Sequence, residues 1–362
     1  MSLKTSEIKR WVKYFKVKQR SNKYENKSSN RVLLTMTDGL GDLVSRWTLM
    51  EKIIKVEQKQ GNEVYILIKE RVGEIYSFFD TNNTVVLFDR IENEKNSNKL
   101  VEELNELNSL GFNKIYYLEF GGNNRFLRLI QAKEKIAFFN YSHKQMNIGI
   151  TRLVNVFPKK NIYFDVQNYY YELFKECISI EELSAPLFKS ANIELNDKLK
   201  ISIGVGANYI GRMASPEKLL KIIEKIYVTY PNIEITLIGK GQFEQDYAKR
   251  IMNNIDKNIN IEDRVSLLDT KSIIGTLLTT DIYIGYDSGI YNLAFRLGVF
   301  CICLAGGMHD RYEHDTISKR VIVIKGKDKV SHKKNPYHPF HALLEEVDES
   351  LIVEAINMLL RE

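Results

Sequence analysis

Short, almost entirely apolar runs alternate with longer amphipathic segments along this chain, and residues 280–304 show the pattern most clearly. Residues 281–286 and 299–304 consist largely of Ile, Val, Tyr, Phe and Cys, a composition typical of parallel strands covered on both faces. A short helix is predicted between them, at residues 290–297. Because strand, helix and strand repeated in this order build parallel sheets, the sequence predicts an α/β fold.

The same alternation runs through both halves of the chain. In the first half, strands are predicted at residues 32–36, 64–68, 85–88, 115–119 and 136–139. In the second half, further strands are predicted at residues 200–205, 233–238, 264–267 and 321–324. A chain of 362 residues is long for a single core, so we expect two doubly wound domains.

A break between the two halves predicts the domain boundaries. Residues 161–187 have an aromatic, helical pattern, and residues 189–197 form a polar connector. We therefore predict a first Rossmann-like domain over residues 31–190 and a second over residues 191–362. A basic arm at residues 1–30 precedes both.

A polar turn, Asp287-Ser288-Gly289, lies between the strand at 281–286 and the helix that follows it. Ligands of open α/β sheets bind at the carboxyl ends of the strands, where helix N-termini offer free backbone N–H groups. The turn thus places a carboxylate and a hydroxyl where a ligand would bind. Asp, Ser and Gly are equally typical of a helix N-cap and a sharp turn, so both interpretations stay open.

Two further turns carry polar residues directly after a predicted strand. Gly41 and Asp42 follow the first strand, with Asp38 nearby as a second carboxylate. Asn208 and Arg212 follow the first strand of the second half, in a glycine-rich segment that leads into a helix opened by proline. Backbone N–H groups in that segment, together with Arg212, are suited to holding a diphosphate and stabilising it as it leaves.

Dinucleotide and metal sites are both disfavoured by the spacing of the residues. The Gly-x-Gly turns at residues 39–41 and 204–206 lack a third glycine at the required position, and Lys69 follows the second strand where an acidic residue would contact the ribose. No Asp-x-Asp pair occurs in the chain, and His309, Glu313 and His314 have no further partner that the sequence identifies. We predict no cofactor and no metal.

The arm carries most of the basic character of the protein. Residues 1–31 contain ten Lys or Arg and two Glu, whereas the rest of the chain has slightly more acidic than basic residues. Apolar residues recur at helical spacing at Ile8, Trp11, Val12 and Phe15. Such a helix fits an anionic membrane surface, packing on its own domain, or nucleic acid. We adopt the membrane surface and predict no nucleic-acid partner.

Composition limits the cellular setting. No apolar run approaches the 18 residues of a membrane span, and the N-terminus has no signal-peptide core. Cys177, Cys301 and Cys303 lack the C-x-x-C spacing of zinc or redox sites and are predicted to be buried. We expect a cytoplasmic protein.

Residues 265–306 resemble glycosyltransferase family 9, the ADP-heptose:lipopolysaccharide heptosyltransferases. The turn reads Asp287-Ser288-Gly289-Ile290-Tyr291-Asn292-Leu293-Ala294 and matches the family pattern D-[ST]-G-x-x-H-L-A, with Asn292 in place of His. The resemblance implies a GT-B fold, in which two Rossmann-like domains face each other across a cleft. In proteins of this fold the last helix commonly crosses back to the first domain.

The resemblance also implies roles for individual residues. Asp42, after the family's Gly at Gly41, is expected to be the base that deprotonates the acceptor hydroxyl. Donor binding is expected at Asn208, Arg212, Glu244, Asp287, Ser288, Gly289 and Asn292. Glu244 would contact the ribose, although a Glu in the first turn of a helix is also favourable without a ligand.

The implied activity is inverting, metal-independent transfer of a sugar, by resemblance a heptose from an ADP-sugar. The implied acceptor is a lipid-linked lipopolysaccharide core or another cell-surface glycan, reached from the inner face of the cytoplasmic membrane. Two further departures accompany Asn292: Met213 stands where a basic residue is usual, and residues 333–341 lack the family's late cysteines. A non-catalytic nucleotide- or glycan-binding module of the same fold is therefore the alternative.

Overall fold

The computed structural model describes residues 5–21, 29–79, 84–91, 96–119, 125–138, 149–154, 198–207, 210–305, 320–325 and 342–361. These residues form two compact α/β units. The first contains the described residues up to Gly39 and those from Leu49 to 154, and the second contains residues 40–48 and the described residues from 198 onwards. The domain boundary predicted near residue 190 lies outside the described residues and stays a prediction.

The first unit is built on a parallel sheet of six described strands in the order β3-β2-β1-β4-β5-β6. The strands are β1 (Arg31–Met36), β2 (Glu63–Ile68), β3 (Val85–Phe88), β4 (Phe112–Tyr117), β5 (Ala132–Phe138) and β6 (Arg152–Val154). The described helices that precede the second sheet are α1 (Thr5–Arg20), α2 (Leu40–Ser45), α3 (Trp47–Lys59), α4 (Gly73–Phe79) and α5 (Ser97–Ser109). Strand β1 lies between β2 and β4 and is buried on both faces, which explains its continuous run of apolar residues.

The second unit repeats this plan with the order β12-β11-β10-β7-β8-β9. Its strands are β7 (Leu199–Gly204), β8 (Ile233–Ile238), β9 (Ile261–Asp263), β10 (Ile282–Tyr286), β11 (Phe300–Ala305) and β12 (Val321–Lys325). Its later helices are α6 (Pro216–Thr229), α7 (Gln242–Met252), α8 (Thr270–Leu278), α9 (Gly289–Arg296), α10 (Ala342–Glu345) and α11 (Glu349–Leu359). Strands β10 and β11 are buried along their whole length, and the thiols of Cys301 and Cys303 lie in this core.

The strand predicted at residues 264–267 was wrong, because the strand β9 ends earlier, at Asp263. The carboxylate of Asp263 accepts a hydrogen bond from the backbone N–H of Val265 (2.9 Å), and Ser266 has a left-handed backbone with φ of 60°. Both features turn the chain away from an extended course. Apolar composition alone did not reveal this turn.

Helix α1 packs on the first unit through a different face from the predicted one. Tyr14 and Val17 are buried, and the Tyr14 ring lies 6.2 Å from the ring of Phe126. Val12 and Phe15 are 49% and 51% exposed. The helix therefore packs on its own domain, which was one of the three alternatives, and the membrane surface that we adopted stays a prediction. The predicted apolar stripe is wrong at Val12 and Phe15.

The last helix, α11, packs against α6 within the second unit. Ile352, Ala355 and Ile356 belong to the core of that unit, and the ammonium group of Lys218 pairs with the carboxylate of Glu349 at 2.6 Å. Helix α11 belongs to the second unit, and the return to the first domain that the resemblance implies stays a prediction. Among the described residues, no helix combines the length and apolar character needed to cross a membrane.

Candidate functional site

In the polar turn after β10, Ser288 and Asp287 have different roles. Ser288 is the N-cap of α9: its backbone is extended, and its hydroxyl oxygen accepts a hydrogen bond from the N–H of Tyr291 (3.2 Å). Asp287 is not the cap, and its side chain is only 6% exposed. The N-cap interpretation is thus correct for Ser288, while the carboxylate beside it has another partner.

That partner is Arg212, which lies at the end of a short 3-10 helix (Ile210–Arg212) after β7. Its guanidinium Nη1 donates to Oδ2 of Asp287 at 2.8 Å, and its side chain is 39% exposed. A buried carboxylate requires a partner of opposite charge, and the arginine supplies it while keeping one side toward solvent. The two candidate residues, 75 positions apart in sequence, therefore form one ion pair.

Met213 explains why the cation sits one position earlier than in the family pattern. Its side chain is fully buried in the core of the second unit, where an ammonium or guanidinium group would be costly. The backbone N–H of Met213 closes the short helix by bonding to the carbonyl of Ile210 (3.0 Å). This turn directs Arg212 to Asp287 and Met213 to the interior.

Glu244 lies against three glycines in the turns after β7 and β8. A Cβ atom on Gly206 would come within 2.8 Å of Oε1 of Glu244, and one on Gly241 within 2.8 Å of Oε2. A Cβ on Gly239 would lie 3.3 Å from Cβ of Glu244. The glycines leave room for this carboxylate in the first turn of α7, so Glu244 is built into the turn and is not a loosely solvated helix-start residue.

Helix α2, which carries Asp42, packs on α9 within the second unit. A Cβ atom on Gly41 would lie 3.0 Å from Nδ2 of Asn292 and 3.3 Å from the Cα of Gly289. The amide of Asn292 donates to the carbonyl of Ser288 at 2.8 Å. Two glycines thus allow the N-terminal ends of the two helices to touch, which brings the Asp42 helix and the polar turn together.

Two buried arginines lie at this helix pair, and the sequence reasoning missed both. The guanidinium of Arg46 contacts Oδ1 of Asp42 at 3.3 Å, and Asp42 itself is 47% exposed. Arg296, which is fully buried, donates to the carbonyl of Ser45 at the end of α2 (2.7 Å). The available signals were the i, i+4 spacing of Asp42 and Arg46 and a single charge in the otherwise uncharged helix α9.

Three buried tyrosines lie on the elements that carry these turns: Tyr247 on α7, and Tyr283 and Tyr286 on β10. Tyr283 packs so closely over Gly204 and Gly285 that a Cβ atom on either glycine would collide with its hydroxyl group. The hydroxyl of Tyr247 donates to the carbonyl of Ala214 (2.9 Å) and lies 3.1 Å from that of Tyr286. Burial raises the pKa of all three phenols, so they are neutral hydrogen-bonding groups at physiological pH.

The remaining predicted residues fall elsewhere. Asn208 and the group His309, Glu313 and His314 lie outside the described residues. Asp38 belongs to the first unit, whereas Asp42 belongs to the second. Within the described ranges, no group of three His, Cys, Asp or Glu side chains is arranged to hold a metal ion.

The sequence matches no protein-family model and no curated protein. Solved structures, in contrast, match over most of the chain. A glycosyl transferase family 9 protein from Veillonella parvula has a TM-score of 0.68 at 13% identity, covering 94% of this chain and 99% of that chain. The E. coli ADP-heptose lps heptosyltransferase II has a TM-score of 0.67 at 12% identity, covering 91% and 98%.

A third structure, the E. coli heptosyltransferase WaaC with ADP, has a TM-score of 0.64 at 13% identity, covering 92% of this chain and 100% of that chain. At identities this low, the structural similarity establishes a shared fold and nothing more. It confirms the predicted fold class. The chain has the GT-B fold, with two Rossmann-like α/β domains, of the glycosyltransferase family 9 structures.

Proposed function

We propose that this protein is a glycosyltransferase that moves a sugar from a nucleotide-diphosphate donor to a hydroxyl group of a glycan acceptor. The observation that carries the proposal is the packing of Gly41 on Gly289 and Asn292. It joins the helix of the proposed base, Asp42, to the turn that carries Asp287 and Ser288. A pure binding module would not need a carboxylate at this position.

The donor is proposed to bind at the carboxyl edge of the second sheet. Arg212 and the N-terminus of α9 would hold the diphosphate, because both present positive charge or N–H donors at that edge. Glu244, which lies against Gly206, Gly239 and Gly241, is proposed to accept hydrogen bonds from ribose hydroxyls. We propose ADP as the nucleotide, since the resemblance implies it and one similar structure contains ADP.

Asp42 is proposed to take the proton of the acceptor hydroxyl. The acceptor oxygen then attacks the anomeric carbon, the bond from that carbon to the diphosphate oxygen breaks, and the nucleoside diphosphate leaves with the electron pair. Attack opposite the leaving group inverts the anomeric centre. Arg212 and the helix N-terminus would stabilise the departing charge, so the proposed mechanism uses no metal.

The transferred sugar is proposed to be a heptose or a related sugar, and the acceptor a lipopolysaccharide core or another cell-surface glycan. Asn292 bears on this choice, because its amide donates to Ser288 where the family pattern has an imidazole. An amide cannot carry the charge that a histidine gains on protonation. The donor sugar therefore has to be determined by experiment, beginning with ADP-linked heptose.

The basic arm is proposed to keep the enzyme at the inner face of the cytoplasmic membrane. Tyr14 and Val17 are occupied by packing, which leaves the exposed Val12 and Phe15 beside Lys13 and Lys16 to meet an anionic lipid surface. Flotation with anionic liposomes tests this. The protein with Val12→Ser and Phe15→Ser should partition less than the wild type, and equal partitioning would remove the membrane role.

The test of the proposed function is a thermal-shift screen with ADP, UDP, GDP and TDP sugars, followed by measurement of released nucleoside diphosphate. Stabilisation by an ADP-sugar and its turnover with a glycan acceptor support the proposal. The second candidate, a binding module, is favoured by the use of Asn292 within its own helix. Saturable ADP-sugar binding without turnover across the acceptors would establish that module instead.

A further inference from the structure

The first unit has its own ligand-binding edge, and a carboxyl group that no sequence motif identified lies there. In the order β3-β2-β1-β4-β5-β6, strands are added on one side of β1 up to β3 and on its other side from β4 onwards, so the strand order reverses between β1 and β4. The crevice outside the carboxyl ends of strands at such a reversal is where open α/β sheets place their functional groups. Thr37 follows β1 and Glu119 follows β4, so both lie at this point.

The two sides of the reversal are joined through Glu119. Its Oε2 accepts a hydrogen bond from the hydroxyl of Thr35 (2.8 Å). Its Oε1 accepts from the backbone N–H of Thr37 (3.3 Å) and from the hydroxyl of Thr37 (3.2 Å). Three donors from one short segment therefore converge on a single carboxyl group, and both threonines are buried.

The electrostatic setting of Glu119 involves charges from two elements. Burial raises the pKa of its carboxyl group, the positive charge of Arg128 opposes this shift, and Asp38 adds to it. Arg128 itself lies over the ring of Tyr117, 3.9 Å from the centroid. Glu119 is thus a partly buried carboxyl group in a polar cluster at the sheet edge and not a solvated surface charge.

The segment that Glu119 holds has a particular place in the chain. Thr37 is followed by Asp38 and Gly39, and helix α2 begins at Leu40. Asp42 is therefore only five residues beyond the anchored Thr37. We propose that Glu119 is a positioning residue of the transferase, which fixes the turn at Thr37 from which the chain enters the Asp42 helix.

This inference rests on the proposed function for its catalytic consequence, but the anchoring can be tested without any substrate. Hydrogen exchange by mass spectrometry should follow peptides that cover residues 37–41 in the full-length protein. In Glu119→Ala, we expect exchange in this segment to accelerate roughly tenfold, because the N–H of Thr37 loses its acceptor and the turn opens locally. In Glu119→Gln the amide oxygen still accepts, so exchange should stay within about twofold of wild type.

A matched control excludes general loosening of the unit. Glu102→Gln changes an exposed glutamate on α5 of the same unit and should leave exchange of residues 37–41 unchanged. Thr37→Val keeps the N–H but removes the hydroxyl, and should give an intermediate acceleration. If Glu119→Ala does not fold, Thr37→Val and Glu119→Gln still decide the question, because wild-type exchange in Thr37→Val would contradict the anchoring.

The catalytic consequence is tested by measuring kcat and the KM for the donor separately. Glu119→Ala should lower kcat roughly tenfold or more, since a small misplacement of a base is costly, while the KM for the donor stays close to wild type. Glu119→Gln should restore most of the loss, which a purely charge-based role would not allow. Unchanged exchange of residues 37–41 in Glu119→Ala overturns the inference even if the wild type is active. An inactive wild type refutes the proposed function, and the exchange result then stands by itself.

Discussion

The two units place a carboxyl group at the same point of the same topology but surround it differently. In each, the group follows the fourth strand and contacts residues near the end of the first strand or after it. Asp287 contacts Arg212 in the second unit, and Glu119 contacts Thr35 and Thr37 in the first. A guanidinium at the surface keeps a positive charge available for a phosphate. Hydroxyl and N–H groups instead fix the backbone. The comparison shows that the partner, and not the position, decides what such a carboxyl group does.

The largest expected effect is on the rate of sugar transfer, and it distinguishes the two carboxylates that follow β1. Asp38 belongs to the first unit and Asp42 to the second. Asp42→Asn should lower sugar transfer at least ~10²-fold and up to ~10⁴-fold, because the amide cannot accept the hydroxyl proton. Asp38→Asn, in the first unit, should lower it far less. Donor turnover and the affinity for ADP should be measured for both. Equal loss in the two variants would mean that Asp42 has no special role.

The ion pair of the second unit should matter more than an ordinary surface pair. Arg212→Ala leaves the buried Asp287 carboxylate without its guanidinium, and we expect a loss of about 2–3 kcal/mol, reduced by the partial exposure of the arginine. Arg264→Ala removes an exposed pair with Glu262 and should cost less than ~1 kcal/mol. Urea unfolding measures both. Weakened ADP binding is expected only for Arg212→Ala.

The contact between the helices α2 and α9 should be sensitive to any side chain added at Gly41. Gly41→Val places atoms against Asn292 and the backbone of Gly289, and should destabilise the protein by about 1–3 kcal/mol. Gly275→Ala, in α8 with no atom within 4 Å of the new Cβ, should stabilise it by about 0.5–1 kcal/mol. Thermal unfolding of the two variants should therefore shift in opposite directions.

The smallest effect concerns the dependence of stability on pH in the first unit. Because burial raises the pKa of Glu119 above its ordinary value of 4.5, its favourable contribution is present below that value and is lost as pH rises through the raised pKa. The melting temperature of wild type minus that of Glu119→Gln should therefore fall from pH 4 towards pH 8. A difference for Glu119→Gln that does not change with pH would contradict the raised pKa of the Glu119 carboxyl group.

The fold was largely predictable because it depends on local patterns. The apolar runs of β1, β8 and β10 identify buried strands within a residue or two of their observed ends. Strand β9 was misplaced, since the turn at Asp263 and Ser266 depends on a side-chain hydrogen bond and a left-handed backbone. Helix α1 was identified correctly, but its buried face depends on where the sheet lies.

The site was predictable only where one short motif carries it. The turn Asp287-Ser288-Gly289 stands out in the sequence, whereas its pairing with Arg212 is a contact over 75 positions that no local pattern encodes. The sequence predicts Glu119 only as the end of a strand, because nothing in its neighbours shows that three donors converge on it. Partners of this kind come from the topology of the sheet.

The second unit is discontinuous in sequence, because the short helix around Asp42 packs on it although the neighbouring stretches belong to the first unit. A gene fragment that starts at residue 198 would therefore encode an incomplete body, with Gly289 and Arg296 deprived of Gly41 and Ser45. Chimeras that exchange whole C-terminal halves between relatives would disturb the same contacts between α2 and α9. Engineering of this scaffold has to carry residues 40–48 along with the C-terminal half.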